Sequence, residues 1–529
     1  MKTLIQCDTI IDGTGKAAFS GDILISDDRI ERIGKLDTEQ ADQMIYAKDC
    51  VVCPGFIDTH THSDLAILRE SAVLPKIYQG VTTEILGQDG IGMAPLPRQY
   101  VSQWKKNIGG LEGTADDVSW NYPTTACYMR EIEKKHPCLN YGLLIPHGNI
   151  RLEAMGFSDS HANEEQLQKM ERILRREMES GALGMSTGLV YVPCVYAATE
   201  ELIRLCKIVR EYHGVFVVHQ RYESERIIES MQELETIAGE SGVHLHISHF
   251  KISGKHNAEK CDTLLQMLDK FQQDGIWITF DQYPYEAGST MLGRIIPPWA
   301  HVGGAEMMLK RIQDAATREK ICGDMLHDCY SWDNMYHACG PEGIVISSVN
   351  KPENQKYVGH SLKEIAGQMS VSPIDAAFRL LVDENNEVGM VNFNGVLDCV
   401  KRLVKRPEMN VCTDGLLGGR PHPRVYGSFP KLIREYVYNH RVLTLEEAIF
   451  KMTGAPAKAM HFTDRGTLEV GRNADIIIFK KGGFRDESTY ENPCKFASGL
   501  KMVFVNGKMI LRNGAIDTNA YSGIVIRRE

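Results

Sequence analysis

The sequence predicts an α/β protein built on a TIM-like (β/α)8 barrel, and three observations carry that reading. Short apolar segments suited to buried strands alternate with amphipathic helical segments over most of the chain, the pattern of parallel βα units. Eight strand segments of this kind can be counted. Several of them end in a histidine or an aspartate, at the face where barrel enzymes carry their chemistry.

In chain order the segments are GFIDTHTH (55–62), VTTEILG (81–87), LNYGLLIP (139–146), ALGMSTG (182–188), GVFVVHQ (214–220), VHLHISH (243–249), IWITFDQY (276–283) and MNVCTD (409–414). A further run, EVGMVNF, leaves a ninth strand open. Between the strands, NEEQLQKMERILRREMESG (163–181) and SERIIESMQELETIAGESG (224–242) carry apolar stripes at helical spacing. They stop at Gly181 and Gly242, glycine being the residue that most readily closes a helix with a positive φ.

The chain ends read differently. Residues 1–53 and 466–529 hold short β-branched runs cut by turn residues, and DILISD alternates with period two, so both ends predict strands. Asn506-Gly507 stands between two such runs as a hairpin turn. The two ends are expected to build one small discontinuous β-sandwich domain beside a catalytic barrel of residues 54–465. The interval of about 287–400 is too long for a simple connection and is expected to hold an inserted lid subdomain.

With 43% hydrophobic and 24% charged residues, the 529-residue chain can bury a large core. Its net charge is −10 and its Lys and Arg are scattered. That argues against nucleic-acid or anionic-membrane binding and leaves a small molecule as the partner. The opening MKTLIQCDTIIDGTG breaks any leader-like apolar run and no long apolar stretch occurs, so a cytoplasmic protein is expected. Fourteen cysteines fall short of a disulfide-scaffold density and read as mostly reduced, buried side chains. None of these features speaks to oligomeric state.

The residues that carry chemistry sit at strand ends. His60 and His62 occupy alternate positions, so on a strand both imidazoles face the barrel interior. His219 closes GVFVVHQ, His249 closes HLHISH and Asp414 ends MNVCTD. One such histidine is ordinarily a core residue. Four of them with a carboxylate, delivered by independent strands to one barrel mouth, make a ligand set for zinc or a similar ion. His246, out of step with His249, reads as outward or as supporting the ligands. His147 ends strand three in IPHGN and either lines the site or is a plain loop histidine.

These residues resemble the amidohydrolase superfamily. PGFIDTHTHSD, GVTTEILGQDGIGMAP, GALGMSTGLVYVP, HISHFK, DQYPYEAGST, IPPWA, TDGLLGGRPHPRVYGSF and MTGAPAKAMHFTDRGTLEVGRNADIIIF resemble its D-aminoacylase (N-acyl-D-amino-acid deacylase) group, over nearly the whole chain. The resemblance implies that His60, His62, His219, His249 and Asp414 bind one or two divalent ions, zinc foremost, with Mn2+, Fe2+ or Co2+ as alternatives. The family usually carries GNCG after strand two, its cysteine binding metal. Here the segment is Gly87-Gln88-Asp89-Gly90, which puts Asp89 in the ligand position. A carboxylate is a harder donor than a thiolate and weakens the preference for zinc. Glu84 is an alternative carboxylate, and a turn role for Asp89 stays open. The strand-four lysine of the hydantoinase and dihydroorotase branch is absent from ALGMSTG, and Cys194 nearby reads as a packing residue.

In function the resemblance implies hydrolysis of an N-acyl-D-amino acid to a carboxylate and a free D-amino acid. Asp414 would act as general base and then return the proton to the leaving amine. Lys251, Tyr283, Ser289 and Arg424 are the implied receptors of the substrate carboxylate, with His147 a further candidate to line the site. A second reading keeps the chemistry and changes the substrate to a cyclic imide, a dipeptide or a secondary amide. A third is a metal-dead barrel serving as a scaffold.

Overall fold

The computed structural model describes residues 1–36, 41–113, 115, 117–517 and 520–528. Its central sheet has eight strands: β1 (Phe56–Asp58), β2 (Val81–Leu86), β3 (Asn140–Pro146), β4 (Gly184–Gly188), β5 (Val215–His219), β6 (His244–Ile247), β7 (Ile278–Gln282) and β8 (Met409–Val411). They pair in sequence order, every neighbour parallel. β2, β3 and β5 are buried along their whole length, as strands covered on both faces must be.

The seam between β1 and β8 closes just beyond the ends of both strands. Thr61–His62 pairs in parallel with Gly415–Leu416, and the Asp414 N–H donates to the His60 carbonyl at 2.8 Å. Nearby, the fully buried Lys76 donates from Nζ to Asp58 Oδ2 (2.6 Å), Thr61 Oγ1 (2.7 Å) and Thr413 Oγ1 (2.5 Å). Burial alone would drive that ammonium neutral; Asp58 and Glu84 more than offset it and raise its pKa. The cluster thereby locks together the two strands that carry His60, His62 and Asp414. Glu84, weighed above as a metal ligand, is held here by Lys76 at 3.2 Å and by the Ser63 hydroxyl at 2.8 Å.

Around the barrel the helices follow their sequence signals. Glu164–Glu179 begins at an Asn163/Gln166 capping box and buries Met170, Ile173, Leu174 and Met178. Each such side chain contributes about 1.5–3 kcal/mol. Gly181 follows at φ 93°, and Ile227–Ser241 likewise ends at Gly242 with φ 65°.

Two further sheets flank the barrel. Strands from both chain ends form one nine-stranded sheet, joined where Ile476–Lys480 runs antiparallel to Cys50–Pro54. Asn506 and Gly507, both at positive φ, turn Leu500–Val505 into Lys508–Arg512. Gly288–Met291, Ile344–Ser348 and Gly389–Asn392 make a separate antiparallel sheet with its own apolar core. EVGMVNF therefore supplies a strand to this small sheet and not to the barrel. All fourteen cysteines are free thiols. Among the described residues no helix is long and apolar enough to cross a membrane.

Candidate metal centre

The six candidate ligands enter the barrel mouth from the carboxyl ends of five strands, His60 and His62 both following β1. His219 is the last residue of β5; His249 lies just past β6, Asp89 past β2 and Asp414 past β8. Asp89 (φ 56°), His249 (φ 36°) and Asp414 (φ 47°) all hold left-handed backbone. That conformation costs a non-glycine residue on the order of 1–3 kcal/mol and persists only where the surroundings impose it. For Asp89 the surroundings are two glycines. A Cβ on Gly87 would sit 2.4 Å from the Leu144 carbonyl oxygen, and one on Gly90 would sit 2.7 Å from Cys194 Sγ. Cys194 is thus a packing residue that shapes this turn.

The side chains converge. His60 Nε2 is 3.6 Å from Asp89 Oδ1 and 3.7 Å from Asp414 Oδ1; His62 Nε2 is 3.7 Å from Asp89 Oδ2 and 3.5 Å from Asp414 Oδ1. His219 Nδ1 and His249 Nε2 face each other at 3.0 Å, and Asp89 Oδ1 is 4.0 and 3.7 Å from them. Ligand atoms held 2.0–2.1 Å from a tetrahedral ion are about 3.3 Å apart, so these spacings suit one or two shared cations. Both His60 ring nitrogens and Asp89 Oδ1 are buried without any hydrogen-bond partner. Buried polar atoms are otherwise almost always paired, and an ion held here would satisfy His60 Nε2 and Asp89 Oδ1, whereas His60 Nδ1 faces Asp281 Oδ2 at 3.9 Å. Two of the compatible donor groups are His60–His62–Asp414 and His60–Asp89–His249.

Electrostatics favour positive charge at this point. Burial pulls the His62 imidazole down, yet Asp414, Glu112 and Asp89 bring it up to about 10. His249 is likewise raised to about 9, against burial and the Lys251 charge, by the neighbouring Asp89 and Glu223 carboxylates. His219, by contrast, is pushed down to about 3 by burial and stays a neutral donor. Burial would raise the two aspartates, but His60 and His249 beside Asp89, and Arg424 and His62 beside Asp414, hold both well below the usual carboxylate range.

The buried groups behind the ligands were only partly foreseen. Glu223 Oε1 lies 3.2 Å from His249 Nδ1, and Glu112 Oε1 lies 3.2 Å from His62 Nδ1; carboxylates so placed fix ring orientation and tautomer. Neither carries a sequence signal, because Glu223 comes from the loop after β5 and Glu112 from the end of a helix. His246 is fully buried, bonding Asp281 Oδ2 at 2.9 Å, and Asp281 Oδ1 accepts the His249 N–H at 2.6 Å. It supports the ligands and does not point outward.

Of the remaining site residues, Tyr283, Ser289, Lys251 and Asp414 line a small cavity beside the ligands, with Met335 and Asn392 also in its wall. Arg424 is fully buried, its guanidinium 4.5 Å over the Tyr283 ring and its Nη1 2.8 Å from Asp414 Oδ2. Nη2 donates to the Ser289 carbonyl at 3.1 Å, while Nε and Nη1 have no aligned acceptor. Lys251 Nζ donates to Glu223 Oε1 at 2.8 Å. His147 is not brought to this cavity: it bonds Thr187 Oγ1 (2.9 Å) and Glu201 Oε1 (2.8 Å), and Arg151 also bonds Glu201.

A parallel barrel whose mouth gathers four histidines and two carboxylates defines a barrel enzyme with a metal-binding centre. The amidohydrolase-family pattern matches residues 43–321 and 363–511, and the chain belongs to the amidohydrolase family. It is 30% identical to D-aminoacylase of Alcaligenes xylosoxydans xylosoxydans over 99% of this chain and 97% of that one. It is 30% identical to the same organism's N-acyl-D-glutamate deacylase over 95% and 92% of the two chains. A crystal structure of N-acyl-D-glutamate deacylase from Bordetella bronchiseptica, complexed with zinc and a phosphonate mimic of the tetrahedral intermediate, superposes over 99% of both chains with a TM-score of 0.84 and 27% identity.

Proposed function

We propose that this protein hydrolyses N-acyl-D-amino acids to a carboxylate and a free D-amino acid. In this reading His60, His62, Asp89, His219, His249 and Asp414 hold one or two divalent ions, zinc foremost. The observation that carries it is the convergence of buried, unpartnered nitrogen and oxygen atoms at the barrel mouth, in a chain similar end to end to deacylases of this substrate class. When bound, such ions polarise a carbonyl oxygen and lower the pKa of water towards about 7.

The chain's own residues supply the rest. Asp414, kept ionised by Arg424 and His62, accepts the proton of the attacking water and passes it to the leaving nitrogen. Arg424, buried beside Asp414 and the Ser289 carbonyl, supplies the positive charge that receives the substrate carboxylate. The Tyr283 ring centroid lies 4.5 Å from that guanidinium, and burial raises its phenol to about 12, so it stays protonated and able to donate. Lys251, engaged by Glu223 and lining the same cavity, is a second cation for the substrate carboxylate. His147 braces the tips of β3 and β4.

A panel of N-acyl-D- and N-acyl-L-amino acids with cyclic amides, assayed after loading with Zn2+, Mn2+ or Co2+, tests the reading. Metal-dependent turnover confined to the D-series is expected. Turnover of a cyclic amide alone would displace it.

A further inference from the structure

A second cluster of metal-ligating side chains lies outside the barrel mouth. Glu225 follows β5, His256 sits on the 3-10 turn Lys255–Lys260 after β6, and His337 belongs to the short helix Met335–Cys339 between strands of the small antiparallel sheet. His256 Nε2 donates to Glu225 Oε1 at 2.5 Å, and His337 Nε2 is 3.7 Å from the same oxygen. The two imidazole rings are 5.5 Å apart, and one donor atom from each of the three residues falls within 4.8 Å of the others.

Two features separate this group from an ordinary surface ion pair. The Glu225 side chain is only 7% exposed, and its Oε2 is buried with no partner, a state that buried carboxylate oxygens rarely keep. The histidines are 50% and 40% exposed, so an ion can reach the cluster from solvent and complete its shell with water. Nearby, Lys260 directs its charge to the Glu225 carbonyl (2.7 Å) and to Asn257 Oδ1 (2.6 Å), leaving the carboxylate to the imidazoles.

The segments that carry Glu225 and His337 are also held together before any ion binds. Asp333 Oδ1 accepts the Glu223 and Ser224 N–H groups at 3.2 Å each, and Asp333 Oδ2 takes Arg294 Nη2 at 3.2 Å. That bracket fixes the segment bearing His337 against the loop bearing Glu225. The ordering cost that weakens sites built from separate segments is therefore met by the fold.

We propose that Glu225, His256 and His337 form a further binding site for a borderline divalent cation such as Zn2+, Co2+, Ni2+ or Cu2+, which staples the inserted segment to the barrel loops. Two imidazoles with one carboxylate suit such ions better than Mg2+ or Ca2+, which take oxygen donors. The staple would act close to the cavity, because Glu223, two residues from Glu225, orients His249, and Met335, two residues from His337, is part of the cavity wall. An ion here would pin that wall without entering the proposed reaction, and the site stands whether or not the deacylase reading holds.

The test uses the full chain with its barrel-mouth metal in place, titrated with Zn2+ and compared with His337→Ala and His256→Ala. Both substitutions replace half-exposed side chains outside the proposed catalytic machinery. One more equivalent of zinc is expected on the unmodified protein than on either variant, or at least 10-fold tighter binding of that last equivalent. Amide hydrogen exchange over residues 328–339 is expected to slow on zinc addition in the unmodified protein and not in His337→Ala. Equal zinc binding by all three proteins, or exchange over 328–339 indifferent to zinc in the unmodified protein, overturns the proposal.

Discussion

Arg424 Nη1 lies 2.8 Å from Asp414 Oδ2 inside the barrel mouth, while its Nη2 reaches the Ser289 carbonyl at 3.1 Å. One guanidinium thus spans the proposed base and the wall of the cavity. Asp414→Asn keeps the shape of the carboxylate and removes its ability to take a proton. That variant is expected to retain fold and metal while kcat falls by about 10²–10⁴. Metal content measured beside kcat checks it, and unchanged kcat would remove Asp414 from the mechanism.

Arg424→Lys keeps the charge but loses the fork. If Arg424 receives the substrate carboxylate, losing one charge-assisted hydrogen bond costs about 1.5–3 kcal/mol, roughly a 10- to 150-fold rise in KM. The check is steady-state kinetics against a substrate whose carboxylate is amidated. Wild type and variant should then differ far less on the amide than on the acid.

Asp89 stands where the GNCG pattern has its cysteine. Asp89→Ala should lower bound metal per chain. Asp89→Cys should shift preference towards zinc over manganese, because thiolate is the softer ligand. Elemental analysis after dialysis against equal concentrations of both ions reads the effect, and identical metal content in all three proteins would leave Asp89 as a turn residue.

Glu223→Gln leaves Lys251 without its anion and loosens the His249 ring. Loss of such an orienting carboxylate typically weakens metal affinity by about 10- to 100-fold. Competition with a metal-sensitive dye would show that weakening, with Glu223→Asp restoring part of it.

A pH effect comes from His147. Burial lowers its pKa, but the Cys194 sulfur nearby and the Glu201 carboxylate, which accepts the hydrogen bond of His147 Nε2, outweigh burial and lift it from 6.5 to about 9. A histidine raised on folding adds stability that is complete below pH 6.5 and is lost as pH rises through about 9. The contribution is on the order of 3 kcal/mol. Urea midpoints should fall between pH 6.5 and 9, and His147→Gln should flatten that slope while lowering stability at pH 6.

The residues legible in the sequence are those whose placement follows from strand periodicity. His219, His249 and Asp414 are polar ends of apolar runs, and the barrel's parallel pairing brings such ends to one face. His60 and His62 were legible as alternate positions, although the strand breaks between Asp58 and Thr61. Glu112, Glu223 and Lys76 escaped notice because a buried charge on a helix or loop looks like any exposed one until the fold supplies its partner. Arg424 shows the same limit: its receptor role came from resemblance, while its contact with Asp414 depends on a three-dimensional approach that no spacing reveals.

The most direct test of the central account is an anomalous-scattering map from zinc-soaked crystals. The account predicts one or two peaks enclosed by His60, His62, Asp89, His219, His249 and Asp414, each about 2.0–2.2 Å from its donor atoms. A map with no density at the barrel mouth, from protein that still turns over N-acyl-D-amino acids, would contradict it.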